Sequence, residues 1–169
     1  MSKAKKIAMS GIFSALCVVF LFIGSMLQTL DLSAAAIASI IVLVAFIELG
    51  RSWAWGVYAV VSLLSLLLLP YKTAALVFGL FAGFYPIFKE QLNKIRPLWL
   101  SVTARMIFFN LFLTLLIYVS KRFFDINEDF LAFNVILYLL SNVTFFIYDI
   151  ALERLSVYYI NRIRSKLFK

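Results

Sequence analysis

Residues 7–27 read IAMSGIFSALCVVFLFIGSML, an apolar run without a charge, preceded by Lys3, Lys5 and Lys6. A helix crossing a hydrocarbon core of ~30 Å needs about 20 such residues. The run is longer than the core of a secretory signal peptide, and the alanine-rich stretch at 33–38 is not read as a cleavage site. Five further apolar segments follow, at 32–49, 53–69, 73–88, 98–119 and 130–152. They are too long for barrel strands and lack a period of two. The fold expected is an all-α integral membrane protein, a six-transmembrane-helix bundle forming one membrane domain over residues 1–169.

Composition agrees. Of 169 residues, 64% are hydrophobic and 14% charged, against roughly a quarter charged in a soluble domain. A chain this size cannot hide so much apolar surface from water, which excludes a soluble enzyme, a secreted disulfide scaffold and a disordered chain. Histidine is absent, which removes His-based acid–base chemistry and His-ligated metal sites. The one cysteine, Cys17, lies in an apolar run and reads as a small packing residue. No metal site and no bound cofactor are expected.

The breakers divide the spans. Asp31 ends the first hairpin, Pro70 the second, and Pro97 opens span five. Pro86, inside span four near its end, is expected to kink or terminate it. With the N-terminus inside, the outer loops carry only Lys72, Lys121 and Arg122, and Arg105 lies within span five. All other Lys and Arg fall on inner segments, so both termini are expected in the cytoplasm. The net charge of +8 is thus topological, and no nucleic acid is expected. The segments 87–95 and 155–169 mix basic and apolar residues and read as interfacial anchors at the inner leaflet.

Polar residues within spans face a bundle interior or cavity. Span six places Asn134, Tyr138, Ser141, Asn142 and Asp149 on one stripe; span five places Thr103, Asn110, Thr114 and Tyr118; span three places Tyr58, Ser62 and Ser65. The three stripes either converge on a polar pocket or serve as interhelical hydrogen-bonding glue. Asp149 is expected to form a structural ion pair with Arg105 or Lys89, or to sit at the interface beside Arg154. Arg105 is expected to snorkel to the inner surface, and Glu48 and Arg51 to form a solvated pair. Lys72, in a short outer turn, either attracts an anionic solute or is a solvated loop charge. On span one, Ala4, Ala8, Gly11 and Ala15 form a small-residue stripe suited to close helix contact, within the chain or with a partner.

Local sequence also carries a resemblance. KKIAMSGIFSA at 5–15, IELG at 47–50, SLLLLPYK at 65–72 and GFYPIFK at 83–89 resemble the substrate-binding S component of energy-coupling factor (ECF) transporters. These are bacterial and archaeal importers of vitamins and micronutrients. The resemblance covers most of the chain and rests on no single motif. It implies a bacterial plasma-membrane protein that captures a vitamin-like micronutrient from outside. Ala8, Gly11 and Ala15 would dock on the ECF coupling subunit, Gly11 standing where alanine is more usual, and two partner ATPases would spend ATP. This chain has no P-loop, and no enzymatic activity is expected of it. By the same resemblance, substrate would sit in the outer half among spans four to six, at Lys72, Asn110, Asn142 and Tyr138. Asp149 is a weaker candidate there. The alternatives are a small membrane scaffold of the MreD type with protein partners only, an intramembrane enzyme using Asp149 or Glu153, and a proton-coupled carrier. No paired-carboxylate or HExxH pattern favours the enzyme, and titratable residues within the spans are few for the carrier.

Overall fold

A computed structural model describes residues 2–27, 29–92, 98–124 and 131–164. Pro97, Lys94, Arg96, Phe130, Lys166, Phe168 and Lys169 lie outside the described residues, as do the side chains of Lys121, Arg122, Asn134 and Arg164.

The chain is all-helical, with no strand among the described residues. Its order is α1 (Lys3–Leu27), α2 (Asp31–Leu49), α3 (Arg51–Leu68), α4 (Thr73–Val77), a π-helical turn (Phe78–Ala82), α5 (Tyr85–Leu92), α6 (Leu98–Phe124) and α7 (Leu131–Tyr158). A second π-helical segment (Tyr159–Arg164) continues α7, so the described part of the expected interfacial tail extends that helix. Four stretches are long and apolar enough to cross a bilayer: Lys3–Leu27, Asp31–Leu49, Arg51–Leu68 and Ile136–Arg162. Within α6, Trp99–Leu115 is a shorter apolar stretch. Large apolar side chains such as Leu63, Leu67, Trp99, Ile107 and Ile147 point outward and are exposed. Such a surface suits lipid and not water, as a helical membrane protein requires.

The packing centres on α2, which touches α1, α3, α4, the π turn, α5 and α7. Its buried face is Ala34, Ala35, Ala38, Val42 and Ala45, and small side chains let neighbouring backbones come close. From α1, Ser14, Cys17, Leu21 and Gly24 face inward. Cys17 is fully buried and its thiol donates to the Ala38 carbonyl at 3.4 Å, a packing role. At Gly24 an added Cβ would collide with the Ala34 Cβ, so α1 and α2 approach closely here. The α2–α3 corner needs Gly50, whose φ of 91° is a left-handed conformation that glycine adopts without strain.

The expected span at 73–88 is not one α-helix. Its backbone passes into the π turn, breaks at Gly83 and Phe84, and restarts at Tyr85. Pro86 adjoins this break, as expected: with no N–H it cannot bond the Ala82 carbonyl four residues back. It sits in the first turn of α5, where its missing N–H is tolerated. At Gly83 an added Cβ would lie 2.7 Å from Tyr58 Cδ2 and 2.8 Å from the Phe78 ring, so any side chain there must displace those rings. Irregular backbone survives at membrane depth only when buried in protein or lining a cavity, because its polar groups need partners. Tyr58 meets part of that need by donating to the Gly79 carbonyl at 2.7 Å.

Candidate functional site

The helices α2, α6 and α7 stand apart around the π turn and leave a cavity of about 440 Å³. Its wall takes Leu32, Ser33, Ala35 and Ala36 from α2 and Val77 from α4. The π turn adds Leu80, Phe81 and Ala82. Phe109, Phe112 and Leu113 come from α6, and Leu140, Ser141, Thr144, Phe145 and Tyr148 from α7. The volume lies within the ~300–1,000 Å³ of small-ligand sites. The wall is apolar and aromatic and carries no charged side chain.

Phe81 is the hub of the aromatic surface. Its ring stacks on Tyr85 at 4.9 Å and meets Phe109 and Phe145 edge-on at 5.3 and 5.6 Å. Phe109 and Phe145 are themselves stacked at 4.3 Å and 3°, which ties α6 to α7. Edge-on and stacked contacts of this kind are the preferred arrangements of aromatic quadrupoles.

Beyond these rings lies a buried ionic node. Asp149 receives Arg105 Nη1 on one carboxylate oxygen at 2.6 Å. On the other it receives Lys89 Nζ at 2.8 Å and the Tyr85 hydroxyl at 2.6 Å. Lys89 also donates to the Asp149 backbone carbonyl at 2.5 Å and lies 3.7 Å from the exposed Glu153 carboxylate. Arg105 Nε donates to the Ser101 carbonyl at 3.3 Å. The node joins α5, α6 and α7. Two expectations are corrected by it. Arg105 does not snorkel to the surface, and Lys89 is not an interfacial lipid anchor; both are buried against Asp149. The cause is the same for each: a buried carboxylate demands paired, hydrogen-bonded cations. Next to the node, the Tyr148 hydroxyl donates to Ser39 Oγ at 2.6 Å, joining α7 to α2.

The polar stripes are brought together only in part. Asn110 and Asn142 form a reciprocal amide pair, with Nδ2-to-Oδ1 distances of 2.8 and 3.0 Å. The second N–H of each amide goes to its own helix, at Met106 and Tyr138 carbonyls. Tyr138 Oη and Thr114 Oγ1 share a hydrogen bond at 2.8 Å. These residues clasp α6 to α7 beside the cavity, whose wall is made by their neighbours Phe109, Leu113 and Ser141. A second, surface concavity is lined by Asn110, Thr114 and Tyr118 with Leu111 and Leu115, all on α6. The span-three stripe turns elsewhere: Tyr58 serves the π turn, and Ser65 donates to the Ser62 carbonyl.

Lys72 lies apart from the amide pair and outside the cavity wall. Its ammonium donates to the Leu66 and Leu69 carbonyls at 2.8 and 2.7 Å, where a cation offsets the negative end of α3. Beside it, Ser25 Oγ bonds both the N–H and the carbonyl of Tyr71, at 3.1 and 2.9 Å. Glu48 accepts from the Tyr159 hydroxyl at 3.3 Å. Ala8, Gly11 and Ala15 share an exposed face of α1, and an added Cβ at Gly11 meets nothing within 4 Å. Among the described residues, none covers that stripe closely enough to bury it.

Of the polar stripes only Ser141 reaches the cavity, because most of its wall is apolar and aromatic. The usable signal was the spacing Phe81, Phe84, Tyr85 and Phe88, which repeats in Phe108, Phe109 and Phe112. No family model, curated protein or solved structure matches the chain.

Proposed function

We propose that the chain is a six-span protein of the bacterial plasma membrane with both termini in the cytoplasm, acting as the solute-binding S component of an ECF-type importer. The broken segment 73–92 and α6 count as crossings in this reading. The observation that carries it is the cavity between α2, the π turn, α6 and α7. A scaffold has no use for a ligand-sized void at a backbone irregularity, whereas π-helical turns often accompany functional sites. Solute enters from outside. Asn110, Asn142 and Tyr138 brace the α6–α7 wall, and Lys72 stands at the outer turn. The exposed face of Ala8, Gly11 and Ala15 docks on the coupling subunit, and two partner ATPases supply the energy. This chain binds a vitamin-like micronutrient and catalyses nothing itself.

The test is mass spectrometry of small molecules extracted from the detergent-purified protein. Wild type is expected to retain one compound. Ser141→Leu, which fills the cavity, is expected to lose it, and the Lys72→Ala, Asn110→Ala double variant to retain less. A chain that holds no compound, binds none of the water-soluble micronutrients and co-purifies with wall-synthesis proteins would overturn the reading in favour of the scaffold. Docking has its own readout. Gly11→Trp with Ala15→Trp is expected to abolish co-purification with a co-expressed ECF module while compound retention persists.

A further inference from the structure

We infer that the cavity takes an uncharged solute bearing a planar aromatic ring, and that it rejects carboxylates and phosphates. The inference rests on the reading of the cavity as a solute site and narrows the class of that solute. Its first support is electrostatic. None of the wall residues is charged. Among the described residues, three cations of the elements that form the wall or adjoin it are engaged elsewhere. Arg105 and Lys89 are held on Asp149, and the Tyr85 and Phe145 rings pack at that end of the cavity, 5.3 Å apart and edge-on. Lys72 is committed to the carbonyls ending α3. An anion entering this space would lose its hydration and meet no opposite charge, which is strongly unfavourable.

The second support is the wall's aromatic character. Phe81, Phe109, Phe112 and Phe145 form one contiguous surface whose rings are fixed by each other. A flat ring inserted there gains stacked or edge-on contacts without ordering flexible side chains. The third is the placement of polar groups. Four wall residues carry hydroxyls: Thr144 donates to the Leu140 carbonyl and Tyr148 to Ser39, which leaves Ser33 on α2 and Ser141 on α7 to meet a solute. A lipid acyl chain offers neither group a partner, and dehydrating a hydroxyl without a partner is costly. A ring with polar atoms on its edge satisfies both.

The test uses the full chain in phosphatidylcholine nanodiscs at pH 7, with empty nanodiscs as reference. The probes are 1-aminoanthracene, which is neutral, and anthracene-2-carboxylate, which is anionic and of similar shape. The amine is expected to bind saturably at one site, about tenfold or more tighter than the carboxylate. Ser141→Leu and Leu113→Trp fill the cavity from α7 and α6 independently, so a folding failure in one leaves the other. Each is expected to weaken the amine about tenfold or more. Equal or tighter saturable binding of the carboxylate, lost in both variants, would overturn the neutral-solute inference and leave the cavity as a solute site. A phospholipid held one-to-one in native mass spectra and lost in both variants would overturn it in favour of an acyl-chain site. If neither probe binds saturably and neither variant matters, the inference and the solute-site reading fall together.

Discussion

Asp149 gathers two cations and a phenol from two helices onto the carboxylate of a third. Taking those charges out of a polar medium is unfavourable, and the pairing with full hydrogen bonding offsets it. Removing the carboxylate charge leaves Lys89 and Arg105 buried together, with only the exposed Glu153 nearby. Asp149→Asn is therefore expected to destabilise by about 3–5 kcal/mol, the cost of breaking a buried pair from one side. Tyr85→Phe removes one hydrogen bond to a charged acceptor, a loss of about 1.5–3 kcal/mol. Denaturant unfolding in mild detergent should rank the two variants in that order. Equal stability of Asp149→Asn and wild type would mean the node is solvated. The sequence already names Arg105 and Lys89 as partners, because few charges fall within its apolar segments. Tyr85 is not named, because nothing in the spacing of residues 64 positions apart reports that α5 packs beside α7.

At the scale of the element, α1 has two unlike faces. Gly24 meets α2 so closely that any side chain must displace Ala34, whereas Gly11 faces open space. Gly24→Val is expected to cost about 1–3 kcal/mol through overpacking. Gly11→Val is expected to stay within about 0.5 kcal/mol, as exposed positions do. The pair of unfolding curves checks both, and a matching loss at Gly11 would mean that the face is covered within the chain. α1, α2 and α3 are legible in the sequence, since length and apolarity suffice to define a crossing helix. The break after α4 is legible in part. Pro86 marks its place, while the π turn before it depends on the Tyr58 hydroxyl reaching Gly79 and on the Tyr58 and Phe78 rings crowding Gly83, contacts that no spacing in the sequence reports. Gly83→Ala is accordingly expected to cost about 1–3 kcal/mol and to weaken binding of the neutral aromatic probe, because Phe81 and Ala82 of the adjoining turn line the cavity.

For the whole molecule, the proposed topology requires the broken segment to cross the bilayer. Residues 73–92, if helical throughout, would extend about 30 Å at 1.5 Å per residue, which matches the hydrocarbon core. Two contacts set the ends of the bundle. Ser25 bonded to Tyr71 brings the end of α1 beside the end of α3. Tyr159 bonded to Glu48 brings the end of α7 beside the end of α2. In the proposed topology α1 starts inside and α2 ends inside, and the second contact places the end of α7 beside that end. The retention of Lys and Arg in the cytoplasm is the physical reason for expecting that topology. Single cysteines at Ser2, Tyr71, Glu90 and Ser156, in a Cys17→Ser background, test this with a membrane-impermeant maleimide on whole cells. Tyr71→Cys is expected to label from outside, and the other three only after permeabilisation. If Glu90→Cys also labels from outside, the segment is a re-entrant hairpin. The even number of crossings would then fall, and with it the proposed topology.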